Sequence, residues 1–201
     1  AFFKSIMSKR RDSSRSSGSK NASMRPQLAG NTINRIKVLS MGSGGCGKSC
    51  LIKRFCEERF VTKYIATIGV DYGVKPINLD GMDVRVNFWD LSGHQEFFEI
   101  RNEFYKDSQG ILLVYDSSSR ESFDELDGWL SEASKYGANP RDTPVVLVAT
   151  KSDKRPAVTE DEGQSYAQAR GLTFFETSAM TGENVEEMFQ FIFEEIAKRM
   201  K

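Results

Sequence analysis

From residue 35 onward, short β-rich runs alternate with segments whose apolar residues recur at helical spacing, the pattern of βα units around a largely parallel sheet. Residues 35–41 predict the first strand. It runs into Gly-Ser-Gly-Gly-Cys-Gly-Lys-Ser and then a helix to about residue 58, along which Leu51, Ile52, Phe55 and Cys56 keep a helical period. Residues 70–79 and 83–91 alternate as strands around an Asp80-Gly81 hairpin turn. Three later runs, 110–115, 144–149 and 172–175, have few polar interruptions, as expected of strands covered on both faces. Helices are expected at 119–136, 159–169 and 184–200, the second opened by a capping box of Thr159 and Glu162. The sum is an α/β fold with a mostly parallel six-stranded sheet flanked by helices.

Composition changes this picture only at the front. The 201 residues carry a formal net charge of zero, yet positions 1–34 hold Lys4, Lys9, Arg10, Arg11, Arg15, Lys20 and Arg25 against Asp12, a net of +6. That segment is rich in Ser, Gly and Asn and lacks apolar periodicity, so a disordered basic tail is expected before a domain over 35–201. The mildly acidic remainder argues against a nucleic-acid-binding face. Ala1-Phe2-Phe3-Lys4 is too interrupted for a signal peptide, and no stretch has the length and apolarity of a membrane span. Cys46, Cys50 and Cys56 suit neither a disulfide framework nor a paired zinc site, and are expected as reduced thiols in a cytoplasmic protein. Lys9-Arg10-Arg11 beside serines leaves nuclear import open, and Phe2 and Phe3 leave weak contact with anionic lipid open.

The chemistry begins at residue 42. Gly42-Ser43-Gly44-Gly45-Cys46-Gly47-Lys48-Ser49 fits G-x-x-x-x-G-K-[ST] between a predicted strand and a predicted helix, the context that gives this motif its meaning. Glycines let the backbone wrap closely around phosphates, so that amides such as those of Gly44, Gly45, Cys46 and Gly47, and the helix N-terminus running into Cys50, face negative charge. Lys48 is the expected partner of the β and γ phosphates, and Ser49 of Mg²⁺. A second protein anchor for magnesium is expected at a strand end, where Asp90 stands, with Gly93 beyond it placed to offer an amide to the γ phosphate.

Such loops serve kinases, ATPases and GTPases alike. Thr150-Lys151-Ser152-Asp153 resembles the N/T-K-x-D element of Ras-superfamily small GTPases, and Thr177-Ser178-Ala179 resembles their S-A-K/x loop. The resemblance implies that Asp153 accepts two hydrogen bonds from guanine, that Lys151 packs along the base, and that a backbone amide around Ser178 and Ala179 meets the guanine oxygen. Thr150 replaces the commoner Asn, as in Rho-type members, and is expected to weaken a structural hydrogen bond. Phe60 and Thr67 fall at the family's spacing for an aromatic on the base and for a threonine sensing Mg²⁺ and the γ phosphate, with Tyr64 in the same loop. By resemblance Thr67 orders its loop only while the third phosphate is present.

Tyr64-Ile65-Ala66-Thr67-Ile68-Gly69-Val70-Asp71-Tyr72 is similar to the Rab switch I sequence. Asp71-Tyr72-Gly73-Val74, Gly93-His94 and Arg101-Asn102-Glu103-Phe104-Tyr105-Lys106-Asp107 resemble most closely the Rab-like proteins that often carry a C-terminal J domain, the RJL or RBJ group. The expected partners are an exchange factor, a GTPase-activating protein and effectors meeting the loops around Thr67 and Arg101, with the chain a monomer. Two departures shape the mechanism. His94 stands where the family pattern D-x-x-G-Q-E has its water-orienting glutamine, with Gln95 one residue on, so intrinsic GTP hydrolysis is expected below roughly 10⁻⁴ to 10⁻³ s⁻¹. A GTP-locked scaffold is the alternative; a kinase or ATPase is disfavoured by the guanine-type tetrad. Lys198-Arg199-Met200-Lys201 offers no prenylation cysteine, and no J domain follows, so neither stable lipid anchoring nor chaperone recruitment is expected of this sequence.

Overall fold

The computed structural model describes residues 34–200 except Asp80, Pro140 and Arg141. The expected disordered tail lies outside the described residues, apart from Asn34, which opens the first strand. The strands are β1 (Asn34–Met41), β2 (Val70–Leu79), β3 (Met82–Leu91), β4 (Gly110–Asp116), β5 (Val145–Thr150) and β6 (Thr173–Glu176). The helices are α1 (Lys48–Glu57), α2 (Phe98–Asn102), α3 (Arg120–Asp124), α4 (Leu126–Lys135), α5 (Glu160–Arg170) and α6 (Val185–Met200), with a 3₁₀ turn at Gln95–Phe97 before α2.

The sheet runs β2-β3-β1-β4-β5-β6, parallel except where β2 returns antiparallel to β3. Leu79 pairs with Met82 across the expected hairpin turn, and Gly81 there has φ 82°; its neighbour Asp80 lies outside the described residues.

Alternation along β4 explains its unbroken apolar run. Leu112 and Val114 join a core with Phe55 of α1 and Phe189, Ile192 and Ile196 of α6, whereas Ile111, Leu113 and Tyr115 join a second core with Leu126 and Trp129 of α4 and Ala167 of α5. Both faces are therefore covered. The capping box at Thr159 and Glu162 is present. The helix expected over 119–136 is instead two, α3 and α4, which meet at Glu125; its φ −80° and ψ −7° stay right-handed helical, and its N–H bonds back to the Glu121 and Phe123 carbonyls.

A parallel sheet gathers the loops that follow its strands along one edge, where such folds bind ligands. The segments after β1, β3, β4, β5 and β6 meet there.

Candidate functional site

The loop between β1 and α1 folds as the glycines demand. Gly42, Gly45 and Gly47 adopt φ 143°, 74° and 106°, values that L side chains rarely take, and a Cβ on Gly42 would lie 2.0 Å from the Val114 carbonyl oxygen. The Lys48 ammonium is buried and donates to the carbonyls of Gly42 at 2.6 Å and Ser43 at 2.9 Å, which pins it inside the curve of the loop. The buried Cys46 thiol donates to the Val114 carbonyl at 3.4 Å and lies 3.8 Å from the Lys48 ammonium, and burial raises its pKa.

Three oxygen groups converge beside the lysine. Ser49 Oγ donates to Asp90 Oδ2, Thr67 Oγ1 donates to the same oxygen at 3.3 Å, and the two hydroxyls are 3.1 Å apart. Asp90 Oδ1 is buried with no hydrogen-bond partner, and burial raises the Asp90 pKa despite the nearby Lys48 charge. A desolvated carboxylate with a free oxygen beside two hydroxyls is a donor set suited to a hard divalent cation that retains water and phosphate ligands. The residues present fit magnesium.

The residues expected to meet a base line the same cavity as the phosphate-loop lysine. The cavity, about 310 Å³, is lined by Lys48, Ser49 and Thr67 and also by Phe60, Lys151, Asp153 and Ala179. Gly44, Gly45, Gly47, Cys50, Tyr64, Gly93, His94 and Thr150 also line it. Asp153 accepts a hydrogen bond from buried Ser178 at 2.5 Å through Oδ1. Lys151, at φ 62°, donates to the Gly45 carbonyl at 2.8 Å and pairs with Asp116 at 2.5 Å, bridging the phosphate loop to β4. The Asp116 carboxyl is pushed up by burial but held below the ordinary range by Lys151 and by the Ser118 N–H and hydroxyl.

The profile of the Ras family matches residues 37–198 of the sequence.

The chain belongs to the Ras family.

Ras-family membership makes it a GTP-binding small GTPase switch. Among curated relatives it is 52% identical over 167 residues to DnaJ homolog subfamily C member 27 of Danio rerio, covering 81% of this chain and 61% of that protein. It is 50% identical over 164 residues to the Rattus norvegicus protein of that name and 49% identical over 164 residues to the Homo sapiens one, each alignment covering 79% of this chain and 60% of the relative. The chain thus spans about three fifths of the length of the curated relatives it matches.

Set within this Ras-family site, several residues differ from expectation. Thr150 makes a structural tie of its own: its hydroxyl donates to the Cys46 carbonyl and, at 3.0 Å, reaches the Tyr115 carbonyl, joining phosphate loop, β4 and β5. Gln95 is exposed and does not line the cavity, whereas His94 is half-buried. Arg101, expected at an effector-facing loop, is 2% exposed, because its guanidinium turns inward to Glu132.

Sequence reasoning missed that Glu132, and it missed Arg54 of α1, which donates to the carbonyls of Ala179 at 2.7 Å and Met180 at 2.6 Å and so fixes the loop after β6. No motif marks either one. Arg54 stands one turn beyond Cys50 on α1; Cys50 lines the cavity, whereas Arg54 acts on it through the Ala179 and Met180 carbonyls.

Proposed function

We infer that the chain binds GTP and GDP with Mg²⁺ in this cavity and hydrolyses GTP slowly, with His94 setting the rate. The observation that carries the reading is the single cavity shared by Lys48 and Asp153, a phosphate-loop lysine and a base-selecting carboxylate. Loop amides and the N-terminus of α1 would receive the phosphates, Lys48 would neutralise the β and γ groups, and Asp153 would accept from the guanine ring and its exocyclic amine. Ser49 and Thr67, backed by Asp90, would hold the magnesium ion, which when bound supplies positive charge to the phosphate oxygens.

His94 explains slow turnover. A glutamine amide accepts a hydrogen bond from the attacking water while donating another, but a neutral imidazole has one donor nitrogen and one acceptor. The Tyr64 hydroxyl already lies 3.3 Å from His94 Nε2, leaving a single ring nitrogen for the water. That engagement also favours the second reading, a largely GTP-bound scaffold.

Switch I leaves Ile65 at 68% and Ile68 at 80% exposed, and the segment from Gly93 through α2, switch II, leaves Ile100 at 51%, an apolar surface suited to exchange factor, activating protein and effectors. Membership of the Rab-like group that often carries a J domain is supported by relatives named as DnaJ homologues. Three free thiols favour a reducing compartment. Nucleotide extracted from purified protein tests the reading: GDP is expected of a protein that turns over, GTP of the scaffold, and adenine nucleotide would overturn both.

A further inference from the structure

Arg101 is a buried cation on a short surface helix, and its guanidinium donates to α4 and to the segment carrying His94. Its Nε and Nη2 donate to the two carboxylate oxygens of Glu132 at 2.6 and 2.8 Å. Its Nη1 donates to the His94 carbonyl at 2.9 Å and reaches the Ser92 carbonyl at 3.4 Å. The guanidinium lies 4.6 Å from the centre of the Trp129 ring, and the Tyr105 hydroxyl donates to Glu132 Oε1 at 2.7 Å, fixing the carboxylate as well. Burial alone would lower the Arg101 pKa, but the Glu132 carboxylate outweighs it.

A buried ion pair is a poor way to add stability, since desolvation offsets most of the attraction, but the planar fork fixes direction. The direction fixed here is that of the His94 backbone. The ring follows from it: a Cβ on Gly44 would lie 2.8 Å from His94 Cε1, so the imidazole rests against the phosphate loop with little room to turn.

We propose that Arg101, anchored on α4 by Glu132, is a positioning residue that holds the His94 ring over the phosphate loop. The proposal rests on the reading of His94 as the rate-setting group. It follows that hydrolysis depends on a contact with α4 that touches neither nucleotide nor metal.

His94 is the only histidine in the chain, so its ring Cε1–H signal in an NMR spectrum of untagged protein reports its placement without ambiguity. In Arg101→Lys, which keeps the charge but loses the fork, and in Glu132→Gln, which keeps the shape but loses the charge, that signal should shift or broaden. Single-turnover hydrolysis of preloaded GTP should fall about tenfold, with GDP release within about twofold of the parent. In a His94→Ala background the same substitutions should have no further effect on hydrolysis. An unmoved histidine signal in whichever variant folds, or an equal loss of rate in both backgrounds, overturns the proposal. If instead His94→Ala alone leaves hydrolysis unchanged while the signal still moves in the variants, the clamp stands and the catalytic reading of His94 falls.

Discussion

Gly93 of switch II faces the backbone of the phosphate loop, so adding one methyl group there perturbs the site at a known point. A Cβ at Gly93 would lie 2.2 Å from the Gly44 nitrogen, 2.3 Å from the Ser43 carbonyl carbon and 2.6 Å from the Gly42 carbonyl oxygen. All three are backbone atoms of a loop tied down by Lys48, Lys151 and Thr150, so the loop has little freedom to yield. Ordinary contact starts at 3.4 Å, so switch II must retreat by about 1.2 Å in Gly93→Ala. A misplacement of about 1 Å costs on the order of 10²-fold in rate, about 2.7 kcal/mol of transition-state stabilisation. Phosphate release from protein preloaded with GTP, under single-turnover conditions, measures that loss, and dissociation of a fluorescent GDP analogue measures nucleotide retention. The expected result is slower hydrolysis by roughly one to two orders of magnitude with GDP release changed by less than about fivefold. Hydrolysis within twofold of the parent would show that Gly93 has room the contacts deny.

His94→Gln should raise single-turnover hydrolysis toward roughly 10⁻⁴ to 10⁻³ s⁻¹, and an unchanged rate would mean the ring is not limiting. Thr150→Val leaves the Cys46 and Tyr115 carbonyls without their shared donor; denaturant unfolding of the GDP-bound form should show a loss of about 1 to 3 kcal/mol, with faster GDP release, whereas parent-like values would contradict the bridging role. Asp116 has a depressed pKa in the fold, so the stability it contributes is present above its unfolded value of about 3.9 and is lost as pH falls through the lower folded value. The melting temperature of Asp116→Asn should therefore trail the parent at pH 7 and converge with it below about pH 4; a gap independent of pH would rule out the ionic contribution.

The parts legible in the sequence were those where backbone geometry dictates residue type. Gly42, Gly45 and Gly47 sit at positive φ, so the loop could be written in few other ways, and the spacing from Ser49 to Phe60 and Thr67 follows from a switch I that must close over one cavity. Doubly covered strands were equally plain, because β4 and β5 feed two cores. Switch II was not legible, since Arg101 is buried while its neighbour Ile100 is half exposed, the reverse of what an apolar pattern implies. A fork bonded to Glu132, thirty-one positions away, leaves no periodic trace. The partners of Thr150 were hidden for a related reason: they are the carbonyls of Cys46 and Tyr115, and side-chain identity says nothing about which backbone oxygens lie nearby.

The guanine assignment rests on Asp153, whose carboxylate lines the cavity with Oδ1 held by Ser178. The most direct test is the ratio of guanosine to xanthosine diphosphate affinity, by displacement of a fluorescent nucleotide, in the parent and in Asp153→Asn. An amide cannot accept both guanine donors but can donate to the 2-carbonyl of xanthine. With each charged hydrogen bond contributing about 1.5 to 3 kcal/mol, the parent should prefer GDP and the variant should invert to xanthosine diphosphate, losing on the order of 10²-fold or more in GDP affinity. A variant that still prefers GDP would contradict the assignment of this cavity to a guanine nucleotide.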